Sequence, residues 1–266
     1  MIKLIATDID GTLLGLNQLM PNNAEETIMQ MIASDILFVP ASGRSHSSIE
    51  NLFMHFIKDI AIIAENGGVV DYKGTEFFTK VLPNNILEEL ISFTDQNNTY
   101  PIINTRYISY LFPRIKKYND KIAHYCTNLK YIAKFSEILG DVVSISIFVE
   151  DEKVVPVFEK LQEKWKDEVI FVITGKYWID IVPRDVNKGN ALKELMEKLD
   201  IKKEEVMAFG DYNNDIEMLA LSEKSYAMNH ASSEVKAHAK YICSPDEIMS
   251  IIQKEISHNN NCKKYN

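Results

Sequence analysis

Apolar residues follow two rhythms along this chain, and the switches between them mark out its elements. Leu4 to Thr7 is a short strand-like run, Ala24 to Ala33 repeats at the helical period, and Ile36 to Val39 is a second apolar run closed by Pro40. Ile49, Leu52, Phe53 and Phe56 then take the i, i+3, i+4, i+7 spacing of an amphipathic helix, before the continuous run Ile60 to Ala64. Strands that are apolar throughout are buried on both faces, and their alternation with helices predicts a parallel βαβαβ sheet. The same grammar returns near the C-terminus, with a helix from Lys188 to Leu199, a strand from Val206 to Phe209, a helix near Asp215 to Leu221 and a strand at Tyr226 to Met228. The two ends read as one domain split in sequence, with ligands expected outside the carboxyl ends of its strands.

Between them the grammar changes. A helix from about Asn85 to Asp95 precedes strand-like Tyr100 to Ile103 and Tyr107 to Phe112, and a helix from Val154 to Trp165 precedes Val169 to Ile173 and Tyr177 to Val182. This is a helix-strand-strand unit met twice, with a partly helical Lys116 to Leu139 and a strand-like Val142 to Val149 between the copies. The expected division is a domain formed by 1–82 and 184–266, and an inserted α/β domain with an antiparallel sheet at 83–183. Tyr107, Tyr110, Tyr177 and Trp178 sit in its strand-like runs and read first as core, second as faces for a bound ring. The polar tail His258 to Asn266 is expected to fray.

A chain of 266 residues that is 46% hydrophobic can bury a large core and is long enough for two domains. No run approaches the ~18 apolar residues of a membrane span, and Asp8 interrupts the N-terminus before a signal-like segment develops, so a cytoplasmic enzyme is the default. A net charge of −9 argues against a nucleic-acid surface, and any anionic ligand has to be drawn by a local site. Cys126, Cys243 and Cys262 are widely spaced without a paired Cys/His pattern, which indicates neither a disulfide framework nor a zinc site. They read as reduced thiols, the first two structural.

Four short segments carry candidate chemistry. Asp8-Ile9-Asp10-Gly11-Thr12 follows the first strand, and Gly11 allows a sharp bend that can bring both acids to one ligand or one hard cation. A calcium loop is excluded, because its glycine belongs at position six and its glutamate at position twelve, where this chain has an acid-following glycine too early and Leu19; a plain turn stays open. Ser42-Gly43-Arg44 follows the second strand and precedes a helix, an arrangement that suits phosphate, although Ser42 or Ser45 can equally cap that helix and Arg44 reads as a structural ion pair or surface charge. Lys188-Gly189-Asn190-Ala191-Leu192 opens a helix with a lysine set against the macrodipole, which a phosphate or neighbouring carboxylates would reward; a solvated surface lysine is the plain alternative. Gly210-Asp211-Tyr212-Asn213-Asn214-Asp215 again ends a strand in acid, and Glu65-Asn66-Gly67-Gly68 can edge the same crevice, unless a hairpin turn near Asp71 to Gly74 explains its glycines.

These four motifs, in this order, resemble the haloacid dehalogenase-like (HAD) superfamily of phosphohydrolases, and the large insertion between the second and third is similar to that of its Cof-type sugar phosphatases. The resemblance implies a Rossmann-like parallel-sheet core under an inserted α/β cap. It implies Asp8 as nucleophile, Asp10 as general acid and base, and Mg2+ held by Asp8, the Asp10 carbonyl and Asp211, with Asp215 in or near its shell. Ser42, the Gly43 N–H, Lys188 and Asn214 would grip the phosphoryl group of a small phosphorylated metabolite. A phosphotransferase or phosphomutase, and a non-catalytic metabolite-binding protein on the same fold, are the alternatives; oligomeric state is not fixed. The family's usual Met-Gly-Asn-Ala is here Met228-Asn229-His230-Ala231, and the usual Asn and Gly-Val ending after Ile242 is missing. These replacements bear on the local loop and substrate contacts, not on the proposed catalytic positions.

Overall fold

Short runs of branched and apolar residues form the strands, and each is followed by a helix wherever the polar period lengthens. In a computed structural model that describes residues 1–122, 128–150, 153–174 and 176–264, the chain opens with β1 (Leu4–Thr7), α1 (Ala24–Ala33), β2 (Leu37–Pro40), α2 (His46–Leu52) and β3 (Ala61–Ala64). A hairpin follows, β4 (Val69–Tyr72) and β5 (Thr75–Thr79). The middle contains α3 (Asn84–Gln96), β6 (Tyr100–Thr105), β7 (Ser109–Leu111), α4 (Asn119–Ile122), β8 (Leu129–Tyr131), β9 (Val142–Phe148), α5 (Val154–Trp165), β10 (Val169–Ile173) and β11 (Trp178–Pro183). The return consists of α6 (Lys188–Lys198), β12 (Val206–Gly210), α7 (Ile216–Ala220), β13 (Lys224–Met228), α8 (Ser233–Ala237), β14 (Tyr241–Cys243) and α9 (Ile248–Lys264).

The two ends of the chain share a parallel sheet of order β14-β13-β12-β1-β2, in which Ala6 pairs with Ala208 and Val39. Every residue of β1 is buried, as a central strand covered on both faces must be. The third parallel strand expected at Ile60 to Ala64 needs correcting. It lies beside β2 only through a bridge between Ala41 and Ile63, and its ladder is antiparallel, in the order β3-β4-β5. The reason is local: Glu65, Asn66 and Gly67 take φ of +51°, +55° and +104°, a tight turn that folds β4 back on β3, and a second turn at Lys73 and Gly74 folds β5 back on β4.

The middle segment forms an antiparallel sheet of order β10-β11-β9-β6-β7-β8, with β7 and β8 the parallel exception. The repeated helix-strand-strand units are the hairpins β6-β7 and β10-β11 with α3 and α5, joined by β9 between them. Alternation sorts their side chains. Ile103, Ile145, Ile147, Ile179 and Ile181 pack under the helices with Leu90, Leu161 and Trp165, whereas Ile102 and Trp178 belong to a separate cluster on the other face. Tyr110 is fully buried, but Tyr107 lies outside the strand and is exposed, so the reading of these tyrosines as core holds for the first and fails for the second. Among the described residues of 116–139 the α-helix is Asn119–Ile122, and β8 was not anticipated; Cys126 lies outside the described residues. Cys243 is buried, its thiol pushed up to about 12 by burial.

The polar tail does not fray where described. Ile248, Ile252 and Ile256 continue one apolar stripe along α9, and the next position on it is the buried Asn259. Its amide accepts from the Ile2 N–H at 3.1 Å and donates to the Ile2 carbonyl at 2.6 Å, which pins the start of β1 and ties the terminus down.

Candidate active site

All four motif segments meet outside the carboxyl ends of the parallel strands. The chain leaves β1 extended at Asp8 and turns at Gly11, whose φ of +79° suits glycine and where a methyl group would overlap the Asp211 carboxylate. Thr12 Oγ1 donates to Asp211 Oδ1 at 3.0 Å, joining the loop after β1 to the loop after β12. Asp215 shapes the latter from within, since its Oδ2 accepts the N–H groups of Asp211 and Tyr212 at 3.0 and 3.1 Å.

Lys188 is the buried cation of the site. At 1% exposure, its Nζ donates to Asp8 Oδ1 at 2.6 Å and to Asp215 Oδ1 at 2.7 Å, so neighbouring carboxylates are what rewards a lysine in the first turn of α6. Burial alone would lower its pKa; Asp215 and Asp8 reverse that and hold the ammonium charged. Burial pushes the Asp8 carboxyl well above the usual range, against the pull of Lys188 and helped by Asp215, Asp211 and Asp10. Asp211 is raised too, by burial and then by Asp215, while Thr12 and His230 pull it down.

One carboxylate oxygen from each of Asp8, Asp211 and Asp215 lies within 4.8 Å of the others. Asp8 Oδ2 is buried there without a hydrogen-bond partner. Three carboxylates, two of them paired with one ammonium and with an orphaned oxygen among them, fit a hard divalent cation, for which oxygen ligands are the preferred set. The Asp10 side chain is elsewhere: Arg44 grips it with two bonds, Nε to Oδ2 at 2.8 Å and Nη2 to Oδ1 at 2.6 Å. The ion pair expected of Arg44 is therefore made with the proposed acid itself.

Ser42 is buried and accepts the Arg44 N–H on its Oγ at 3.1 Å, a bond within its own turn, and the side chain of Ser45 makes no capping bond to α2. Gly43 lies against the Asn66 amide, whose Oδ1 in turn accepts from Asn214 Nδ2 at 2.8 Å. Asp8, Asp10, Ser42, Gly43, Asp211 and Asn214 share the wall of a cavity of about 410 Å³. Lys188 and Asp215 are not on that wall but behind Asp8.

The opposite wall comes from the antiparallel sheet: Ile102 and Asn104 of β6, Ser146 of β9, and Trp178 and Asp180 of β11. Trp178 was named, with a face for a bound ring as its second reading; Ile102, Asn104, Ser146 and Asp180 were missed in the sequence because strand alternation is their signal, and it marks a face without saying what the face does. His230 was seen only as a departure in the loop after β13. Its Nε2 lies 3.2 Å from Asp211 Oδ2, so that replacement does reach a proposed metal ligand. Glu65 is the remaining surprise, a buried carboxyl pushed up to about 8 by burial and by Asp180, with the Ser144 hydrogen bond pulling it down.

A parallel sheet with an acidic site at its strand ends, roofed by an antiparallel insert, defines a capped α/β architecture with a Rossmann-like core. The family model for haloacid dehalogenase-like hydrolases matches residues 5–254, and the chain belongs to that family of enzymes, as its motifs imply. It is 32% identical over 271 residues to 5-amino-6-(5-phospho-D-ribitylamino)uracil phosphatase YbjI of Escherichia coli, covering 97% of each chain. Among solved structures it resembles SMU.1108c of Streptococcus mutans, with a TM-score of 0.88 and 25% identity over 97% of this chain and 100% of that one. A haloacid dehalogenase-like hydrolase of Bacteroides thetaiotaomicron superposes with a TM-score of 0.87 and 25% identity, over 96% and 99% of the two chains.

Proposed function

We propose that the protein is a magnesium-dependent phosphatase of small phosphorylated metabolites, working in the cytoplasm through an aspartyl-phosphate. The observation that carries this reading is Asp8: one oxygen is held by Lys188, the other is unpartnered amid the acid cluster, and the residue lines the cavity. In this reading 1–82 with 184–266 form the catalytic unit and 83–183 the cap. Asp8, Asp211 and Asp215, with the Asp10 carbonyl, would hold Mg2+, which when bound supplies the positive charge that lets a carboxylate approach a phosphate dianion.

Asp8 attacks phosphorus while Asp10 gives its proton to the departing alcohol oxygen; Asp10 then takes a proton from the water that cleaves the aspartyl-phosphate, releasing inorganic phosphate. To donate, Asp10 has to leave its pairing with Arg44 and take up a proton from solvent, and the incoming phosphate is the competing anion that draws the guanidinium away. Ser42, the Gly43 N–H and Asn214 position the phosphoryl oxygens, and Lys188 fixes Asp8 from behind. The amide, hydroxyl and carboxyl groups of the cap wall suit a hydroxyl-bearing leaving group, so sugar phosphates head the candidates, with the phosphoribitylaminouracil of the Escherichia coli relative's name beside them.

The test is phosphate release from a panel of hexose, pentose, phosphoribityl, flavin and pyridoxal phosphates by purified protein with Mg2+. At least one sugar phosphate should be hydrolysed, and Asp8→Asn should lower kcat at least about a thousandfold. No release from any member, or an Asp8→Asn variant that turns over normally, would overturn the reading.

A further inference from the structure

The turn after β3 touches the Ser42–Arg44 loop, Asn214, the residue ahead of Lys188 and the cap. Glu65 and Asn66 take φ of +51° and +55°, a left-handed pair of non-glycine residues, and Gly67 follows at +104°, where a side chain would strike the Asn187 carbonyl just ahead of Lys188. The Glu65 and Asn66 N–H groups donate to the carbonyls of Arg44 and Ser42, each at 3.0 Å, so the turn is clamped onto the Ser42–Arg44 loop.

Its side chains then reach across to the cap. Ser144 Oγ donates to Glu65 Oε2 at 2.5 Å, and Asn104 Nδ2 stands 3.4 Å from the same oxygen. The Asn104 amide is oriented further by Ser144 at 2.9 Å and by Ser109, which donates to its Oδ1 at 2.8 Å. Asn66 Nδ2 donates to Asp180 Oδ2 at 3.0 Å while its Oδ1 accepts from Asn214. Asn104 and Asp180 are cavity-wall residues of the cap, and Asn214 is one of the core. Glu65 is 2% exposed, and Oε1 has no hydrogen-bond partner. Burying a carboxyl this deeply is costly unless it is hydrogen-bonded, and the side chains that reach Glu65 Oε2 come from the cap.

We propose that Glu65 and Asn66 are positioning residues that register the cap's Asn104 and Asp180 against the phosphate-site loops, and so set selectivity for hydroxyl-bearing leaving groups. The proposal rests on the phosphatase reading above. It makes the turn a gauge of cap placement: the chemistry stays with the core acids, and the fit of the leaving group depends on the two-residue bridge.

Wild type, Glu65→Ala, Glu65→Gln and Asn66→Ala are compared with Mg2+ on p-nitrophenyl phosphate, whose leaving group offers no hydroxyls to Asn104 or Asp180, and on the sugar phosphate that the wild type hydrolyses fastest. Both alanine variants should lose at least about tenfold more kcat/KM on the sugar phosphate than on p-nitrophenyl phosphate, chiefly through KM, and Glu65→Gln should recover most of the preference. Equal losses on the two substrates, or no recovery with glutamine, overturn the proposal alone. A wild type that releases no phosphate from either overturns the phosphatase reading and the proposal with it. Should Glu65→Ala lose its cooperative melt, Ser144→Ala removes the same contact from the cap side and carries the comparison.

Discussion

The two walls of the cavity are built by opposite rules. On the core wall, the groups sit on loops directly after parallel strands, Asp8 and Asp10 after β1, Ser42 after β2 and Asp211 after β12, and the charges of Asp8 and Asp10 are locked in short pairs with Lys188 and Arg44. On the cap wall, Asn104, Ser146 and Asp180 are isolated positions on antiparallel strands whose alternate residues fill the cap's own core. A side chain in such a loop also holds its neighbours' backbone, as Asp215 holds the N–H groups of Asp211 and Tyr212, so replacing it disturbs the segment around it. A strand face can change one contact at a time without disturbing the isoleucines behind it. The core wall is thus suited to keeping one reaction, and the cap wall to varying what is delivered to it.

Removing the locked charge should break the contrast most severely. Lys188→Met leaves Asp8 and Asp215 buried without their shared cation, so unfolding in denaturant should show a loss of about 3–5 kcal/mol, the cost of orphaning buried charge. Saturating Mg2+ should restore part of that loss, because the same carboxylates gain another cation. A variant as stable as wild type without metal would mean that the pairing is not what holds these loops.

How far each wall was legible follows from the same difference. Segments with local signals read correctly: β1 and α1 lie at Leu4–Thr7 and Ala24–Ala33 as their periodicity predicts, and the four motifs converge. What depended on distant partners did not. The tail was read as frayed because its polarity hides that Asn259 pairs with Ile2, 257 positions away. Strand β3 was given a parallel ladder because an apolar run does not reveal that the next hairpin folds onto it. Glu65-Asn66-Gly67-Gly68 was read as able to edge the crevice, but nothing in it shows that Ser144 will sit against Glu65.

The junction between the walls is open to a pH test. Glu65 titrates near 8 when folded against an ordinary 4.5, so between those values the unfolded chain has lost a proton that the folded chain keeps. Its stabilising contribution is complete below about pH 4.5 and drains away as pH rises toward 8, at up to ~1.4 kcal/mol per unit, on the order of a few kcal/mol in all. Glu65→Gln cannot titrate. Relative to wild type it should gain stability between pH 5 and pH 8, and parallel curves for the two proteins over that range would show that Glu65 is not held protonated. On the cap wall itself, Asp180→Asn keeps the shape of the side chain and an oxygen for Asn66, but removes a charge and one acceptor position. The ratio of kcat/KM on a sugar phosphate to that on p-nitrophenyl phosphate should shift about tenfold. An unchanged ratio would remove Asp180 from the leaving-group contacts.

The smallest effect tests whether the core wall is as fixed as its ion pairs suggest. Asp211 is held from both sides, Oδ1 by Thr12 at 3.0 Å and Oδ2 by His230 at 3.2 Å, and the His230 ring is a quarter exposed. Groups that hold a metal-binding carboxylate from outside fix its orientation before the metal arrives, and losing one commonly weakens metal affinity tenfold or more. Here Thr12 remains, so His230→Asn, which puts back the residue that the family resemblance expects at this place but is too short to keep the contact, should weaken Mg2+ binding by about threefold to tenfold in calorimetry. The melt without metal should stay within a degree or two, since a partly exposed contact contributes little to stability. Unchanged affinity would make the contact incidental and leave Thr12 and the loop itself as the hold on Asp211. A larger loss would mean that this chain has moved part of its metal support onto a residue outside the motifs by which the core wall is recognised.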